Sequence, residues 1–100
     1  LFSKLREPKR MDIGDIEVDD EGSRVEIRGN VENCNLYEGH LFFHVKDETG
    51  GIDVAVFNDD REDMDLDPET LENSEEVVIE GDIDLYKGEL QILPVKIEIR

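Results

Sequence analysis

The stretch Gly39–Phe57, GHLFFHVKDETGGIDVAVF, decides how the rest of the chain is read. Leu41, Phe43 and Val45 recur at every second position, Asp47–Gly51 breaks the pattern, and Ile52, Val54 and Val56 restart it. Two half-buried strands joined by a tight turn have this period, so a β-hairpin is predicted. Its inner face supplies core. Its other face carries Phe42, His44, Lys46 and Phe57, two aromatics and a lysine on a surface the core does not need.

Upstream, Val25, Ile27, Gly29 and Val31 alternate with Arg24, Glu26, Arg28 and Asn30, the pattern of a long strand with one buried face. A glycine inside that run predicts a bend or bulge at Gly29, as a strand curling into a small barrel requires. Glu32–Glu38 is expected to be a connecting loop that carries Tyr37. Asp19–Ser23 is turn chemistry, and Met11–Val18 reads as a weak strand around Gly14. In Leu1–Arg10, Leu1, Phe2 and Leu5 form at most one apolar turn before Pro8 ends it, which reads as a basic linker or short docking turn.

Downstream, Asn58–Asp67 is a charge run without periodicity. Asp67 followed by Pro68 and Glu69 is a helix start, with an N-cap acid, proline at the first helical position and an acid suited to the dipole. The helix is short, ending near Leu71, because Asn73 and Ser74 read as an exit. Glu76–Tyr86 is a strand with Val77, Ile79, Gly81, Ile83 and Leu85 inward, Lys87–Gly88 is a tight turn, and Glu89–Ile99 returns. Pro94 cannot donate to a ladder and must sit at a bulge or an edge; it is expected to shift the inward set from Leu90 and Ile92 to Val95 and Ile97.

One hundred residues make one small domain, able to bury roughly two-thirds of its unfolded surface. No run approaches the ~18 apolar residues of a membrane span, and residues 1–10 lack an apolar signal region. A soluble, cytoplasmic domain with no membrane partner is therefore expected, and the absence of an initial Met reads as a piece of a longer protein. Cys34 is the only cysteine, which excludes an intrachain disulfide and a cysteine-based zinc cluster and reads as an inert loop thiol.

Charge is the unusual feature: 28 acidic residues against 11 basic give a formal net charge of −17. Residues 1–10 hold four basic groups and Glu7, so the whole acid excess belongs to residues 11–100. The acids occupy turns and outward strand positions such as Glu26, Asp53, Glu80, Asp82 and Asp84, a solvated shell around an ordinary interior. With only five lysines, this coat resembles adaptation to a salty cytoplasm, where the Debye length is about 3 Å at 1 M salt. The alternative is an acidic surface that meets a basic partner.

The order strand, strand, strand, short helix, strand, strand predicts an all-β fold: a five-stranded Greek-key OB barrel over residues 11–100, with one short helix between strands 3 and 4. The motifs agree. G-H-x-aromatic-F-x-aliphatic-K-D-E at Gly39–Glu48, aliphatic-x-V-x-V-F at Ile52–Phe57 and V-x-I-x-G-x-I-x-x-Y-x-G-x-L-Q-I at Val77–Ile92 resemble the anticodon-binding OB domains of aspartyl, asparaginyl and lysyl tRNA synthetases. They look closest to the nucleic-acid-binding domain of exonuclease VII large subunits. The resemblance, over Val25–Ile97, implies an aromatic that stacks on a base at Phe42 and a basic residue approaching the strand at Lys46. Asp53 departs from it, standing where the synthetase domains tend to carry a base-reading glutamine.

The expected function is binding of single-stranded DNA or RNA as one module of a larger nucleic-acid-processing protein, with neighbouring domains of the same chain as further partners. Phe42 and Phe57 would stack on bases, flanked by Tyr37 and Tyr86, and His44 shares their face. Arg28, Lys46 and Lys87 would supply local cations, and Gln91 would reach a base edge. The rivals are a protein-interaction or spacer domain and tRNA anticodon recognition. No cofactor or catalysis is expected: there is no Ser/His/Asp grouping at motif spacing and no phosphate-cradling glycine loop. His40 and His44, four apart on a strand, stand about 13 Å apart and cannot share a metal. Asp63, Asp65 and Asp67 fail as a calcium loop, because Pro68 and Ser74 stand where glycine and a bidentate glutamate are needed.

Overall fold

The expected hairpin forms, with the expected faces. The computed structural model describes residues 8–100, so the turn read at Leu1, Phe2 and Leu5 lies outside the described residues. Strands β3 (His40–Lys46) and β4 (Gly51–Val56) pair antiparallel from Leu41↔Val56 to Lys46↔Gly51. Leu41, Phe43, Val45, Ile52, Val54 and Val56 are all buried.

Two residues before them, Lys9–Arg10, form β1, which lies parallel to the start of β2 (Arg24–Tyr37) with Lys9 opposite Val25. Strand β2 pairs with two neighbours in turn. Arg24–Gly29 runs antiparallel to β5 (Val77–Tyr86), and Asn30–Tyr37 runs antiparallel to β3. Strand β6 (Glu89–Ile99) pairs antiparallel with β5 and parallel with β4 through Asp53↔Gln91 and Val54↔Ile92. The circuit β2–β3–β4–β6–β5–β2 is therefore closed, the five-stranded OB barrel expected from the strand order. The second and third barrel strands are β3 and β4.

Closure draws the strands together at two glycines. A Cβ on Gly29 would sit 2.5 Å from the Lys46 carbonyl oxygen and 2.9 Å from Val45 Cγ1, at the point where β2 changes partner. One on Gly81 would lie 2.6 Å from the Leu93 oxygen. Opposite Gly81, β6 carries an extra residue between Pro94 and Lys96. Pro94 thus sits at a bulge, as expected, but the inward shift assigned to Val95 is corrected: Pro94 is buried and Val95 is the bulged residue, 45% exposed.

Other local expectations change. The bulge in β2 falls between Glu32 and Asn35, with Asn33 at φ 56, rather than at Gly29. Glu32–Tyr37 is strand instead of loop, because β3 supplies a partner as far as Tyr37↔His40. Met11–Val18 is not a strand; it holds the short 3-10 turn Ile13–Asp15, followed by a second at Val18–Asp20. Its backbone is satisfied from the β3–β4 turn, where Asp47 Oδ2 accepts from Ile13 N–H (3.0 Å) and Thr49 Oγ1 from Gly14 N–H (2.8 Å). The charge run contains a helix, α1 (Asn58–Met64), so two short helices rather than one separate β4 from β5. The second, α2 (Pro68–Glu72), starts as expected: Asp67 accepts from Glu69 N–H at 3.2 Å and from Thr70 Oγ1 at 3.1 Å. Leu66 and Leu71 enter the core from this segment. No helix among the described residues is long and apolar enough to cross a membrane.

Two outcomes follow from this packing. Gly29→Ala should lower the stability read by urea denaturation by about 1–3 kcal/mol, the usual cost of overfilling a close contact, since backbone rather than a flexible side chain stands in the way. Asp47 tests the turn. Desolvation pushes its carboxyl up, but hydrogen bonds from the Thr49 side chain and from the Ile13, Thr49 and Gly50 backbones outweigh that and hold it below the usual carboxylate value. A carboxyl lowered on folding adds stability above its unfolded pKa and loses it as pH falls through the folded one. Asp47→Ala should therefore melt lower than wild type at pH 7, and the gap should close in acid below about pH 4.

Candidate nucleic-acid interface

The ladder registers carry one row of outward residues across all five barrel strands. Glu32 on β2 faces His44 on β3, His44 faces Asp53 on β4, Asp53 faces Gln91 on β6, and Gln91 faces Asp84 on β5. The period of two puts them on the side opposite the core. Beside this row lies a second, in which Asn35 faces Phe42 and Phe42 faces Ala55. Ala55 is buried although it alternates with the core residues, and it lies in the floor of a cleft of about 640 Å³. Phe42, His44, Asp53, Phe57, Tyr86 and Gln91 line the same cleft.

His44 and Gln91 each place a donor on an acid of the row, and Lys46 beside it stands against Glu32. His44 Nδ1 lies 3.0 Å from Asp53 Oδ1; a carboxylate only accepts, so that nitrogen carries the proton. Gln91 Nε2 donates to Asp84 Oδ2 at 2.8 Å, and Lys46 Nζ stands 3.3 Å from Glu32 Oε2.

The aromatic side of the cleft is organised by a residue absent from the expected set. The His40 ring meets Phe57 edge to face at 5.5 Å and 84°, and Phe42 at 6.4 Å and 67°. Its Nδ1 accepts the Asn58 N–H at 3.0 Å. Phe57, the N-cap of α1, has no side chain able to do this, so His40 satisfies an orphan donor at the helix start while it supports two aromatic rings. Read only as half of a failed metal pair, His40 held one usable signal: its outward position in line with Phe42 and His44. Phe57 is 43% exposed and Tyr86 57%, whereas Phe42 is half-buried.

Five of the nine expected residues thus meet: Phe42, His44, Phe57, Tyr86 and Gln91. Tyr37 is exposed at the end of β2, and Lys87 sits in the β5–β6 turn with its Nζ 5.3 Å from the Tyr86 ring centroid. Arg28 and Lys46 are not in the cleft; they line a separate groove with Asn30, Asp47, Thr49 and Glu76. Arg28 is displaced because it precedes Gly29, on the half of β2 that pairs with β5.

That other face absorbs much of the positive charge. Arg24 makes two hydrogen bonds to Asp82 (2.9 and 3.0 Å), Arg10 lies 3.2 Å from Glu26, and Arg100 lies 2.9 Å from Glu98. The Arg24 hydrogen bond, with its charge, holds the Asp82 carboxyl below the usual range against desolvation. Cys34 is half-buried, and burial followed by the nearby Glu72 charge pushes its thiol up, away from the reactive thiolate.

Comparison with known proteins agrees with this geometry. The OB-fold nucleic acid binding domain family, of the tRNA anti-codon type, matches residues 25–100. The exodeoxyribonuclease 7 large subunit of Lachnoclostridium phytofermentans is 31% identical over 80 residues, an alignment that covers 77% of this chain and 19% of that protein. This chain therefore spans about a fifth of that relative's length. Among solved structures, an OBody bound to hen egg-white lysozyme superposes with a TM-score of 0.77 at 20% identity, covering 95% of this chain and 96% of that one. Asparaginyl-tRNA synthetase from Pyrococcus horikoshii, complexed with asparaginyl-adenylate, does so at 0.70 and 19%, covering 91% of this chain and 22% of the synthetase. The closed strand circuit and the family match over three-quarters of its length show that this chain belongs to the OB-fold nucleic acid binding domains.

Proposed function

We propose that the chain holds single-stranded DNA or RNA in the aromatic cleft, as the binding module of a larger nucleic-acid-processing protein. One observation carries this reading: Phe42 from β3, Phe57 at the junction of β4 and α1, and Tyr86 from β5 line a single outward cleft together with Gln91. Bases stack on Phe42 and Phe57, Tyr86 extends the platform, and Gln91 meets a base edge. Each stacked base contributes about 1–3 kcal/mol without needing a phosphate contact. That suits a surface on which Arg10, Arg24 and Arg100 are paired with acids away from the cleft. Tyr37 and Lys87 border the strand at the two hairpin turns, and Arg28 and Lys46 meet the backbone only if it continues into their groove.

The domain binds and does not itself catalyse; a nuclease or synthetase activity would belong to other domains of the parent protein. The acidic coat fits a salt-rich cytoplasm, where the repulsion of phosphates is screened. A second reading, docking of a protein on the same cleft, is favoured by the −17 charge. The OBody bound to lysozyme gives that reading a precedent in this fold.

Fluorescence anisotropy with labelled oligo(dT) and oligo(U) separates the two. Stacking predicts saturable binding whose affinity changes little, or rises, between 0.1 and 1 M salt; a protein tracking phosphates would lose affinity steeply, with a log–log slope of about −0.7 per phosphate contact. Absence of binding at every salt concentration would favour the protein-docking reading. Phe42→Ala should weaken oligonucleotide binding by roughly five-fold to a hundred-fold, the equivalent of one lost stack, with its circular dichroism spectrum unchanged.

A further inference from the structure

The polar row beside the aromatic platform has an unusual balance of hydrogen-bonding groups. His44 Nδ1–H is held by Asp53 Oδ1 and one Gln91 amide N–H by Asp84 Oδ2, while Lys46, outside the cleft, stands against Glu32. What these pairs leave facing the cleft is mostly acceptor. Asp53 Oδ2 accepts no hydrogen bond among the described residues, and the Asp53 side chain is 61% exposed. Gln91 spends one amide N–H on Asp84 and keeps its carbonyl oxygen as an acceptor beside one further N–H. Asn33 and Asn35, the latter opposite Phe42, carry both a donor and an acceptor and do not discriminate.

An acceptor-rich edge sorts the bases. On its Watson–Crick edge guanine alone offers two adjacent donors, N1–H and N2–H₂, which match the two oxygens of a carboxylate or two neighbouring acceptors. Uracil and thymine offer one N3–H between two carbonyl oxygens that a carboxylate repels. Cytosine and adenine offer an exocyclic amine next to a ring nitrogen that is itself an acceptor. A carboxylate in this position also repels the phosphate backbone, so a base edge rather than the sugar–phosphate chain faces Asp53.

We propose that the cleft selects guanine: a guanine stacked beside Phe42 donates its N1–H and N2–H₂ to Asp53 and to the Gln91 carbonyl. This rests on the stacking function proposed above and assigns it a base preference. Asp53 is the specificity-determining residue, and Gln91, oriented by Asp84, is its companion. A charge-assisted, paired contact of this kind discriminates against the wrong base by roughly ten-fold or more.

The test uses wild-type protein and five labelled heptamers, TTTXTTT, in which X is guanine, hypoxanthine, adenine, cytosine or thymine. The expected result is that the guanine heptamer binds at least ten-fold tighter than the thymine one, and that hypoxanthine, which lacks only the N2 amine, loses most of the gain. Asp53→Asn should bring the guanine-to-thymine ratio towards one by weakening the guanine heptamer, while the thymine heptamer binds as well or better because a negative charge is removed from the path of the strand. Melting curves of the variant confirm that it folds. Equal binding of all five heptamers would overturn guanine selection and leave stacking intact. Equal binding of guanine and hypoxanthine would overturn the two-donor contact. No binding of any heptamer would remove the stacking function and this inference together.

Discussion

Strand β2 has to serve two neighbours, β5 along its first half and β3 along its second, and a barrel of five strands can close only if the chain bends where the partner changes. Gly29 stands at that point because the Lys46 carbonyl passes within reach of any Cβ placed there. The bulge at Asn33 then adds a residue and turns the second half of β2 away from the first. From these two features follows the division of the outer surface. Residues before Gly29 face out over β5 and β6; residues after it border the β3–β4 hairpin and its cleft.

That division separates charge from aromatic surface. Arg10, Arg24 and Arg100 lie against Glu26, Asp82 and Glu98 on the first face, exposed pairs that each contribute little to stability but commit three arginines to acids. The cleft side has Phe42, Phe57 and Tyr86 with an acceptor-rich row beside them. A chain of this net charge is poorly suited to hold phosphates by attraction. His40 ties the arrangement to the fold: one ring supports two aromatics and takes the first helical N–H of α1.

Much of the fold was legible because the hairpin and β5 each bury one face, which pins their register to the apolar alternation. The α2 cap and the Lys87–Gly88 turn were legible because both depend on adjacent residues. What failed depends on partners distant in sequence. The Ile13 turn is held by Asp47, 34 residues away. Helix α1 has no apolar period of its own; it forms under His40 and packs Met64 against the core. The β2 bulge uses Asn33 where a glycine would have advertised a left-handed backbone. In the site, Phe42 and Phe57 could be read from alternation alone, whereas Arg28 was misplaced because no local signal says where β2 changes partner.

The central claim is that nucleic acid meets the aromatic cleft rather than the charged face, and ring resonances report that contact directly. A titration of the domain with an unlabelled single-stranded oligonucleotide, followed by aromatic and amide NMR, should shift the Phe42, Phe57 and Tyr86 ring signals upfield in a saturable way, with Arg24, Arg28 and Lys96 amides unmoved. Shifts confined to the β2–β5–β6 face, with the three rings silent at saturation, would contradict the account.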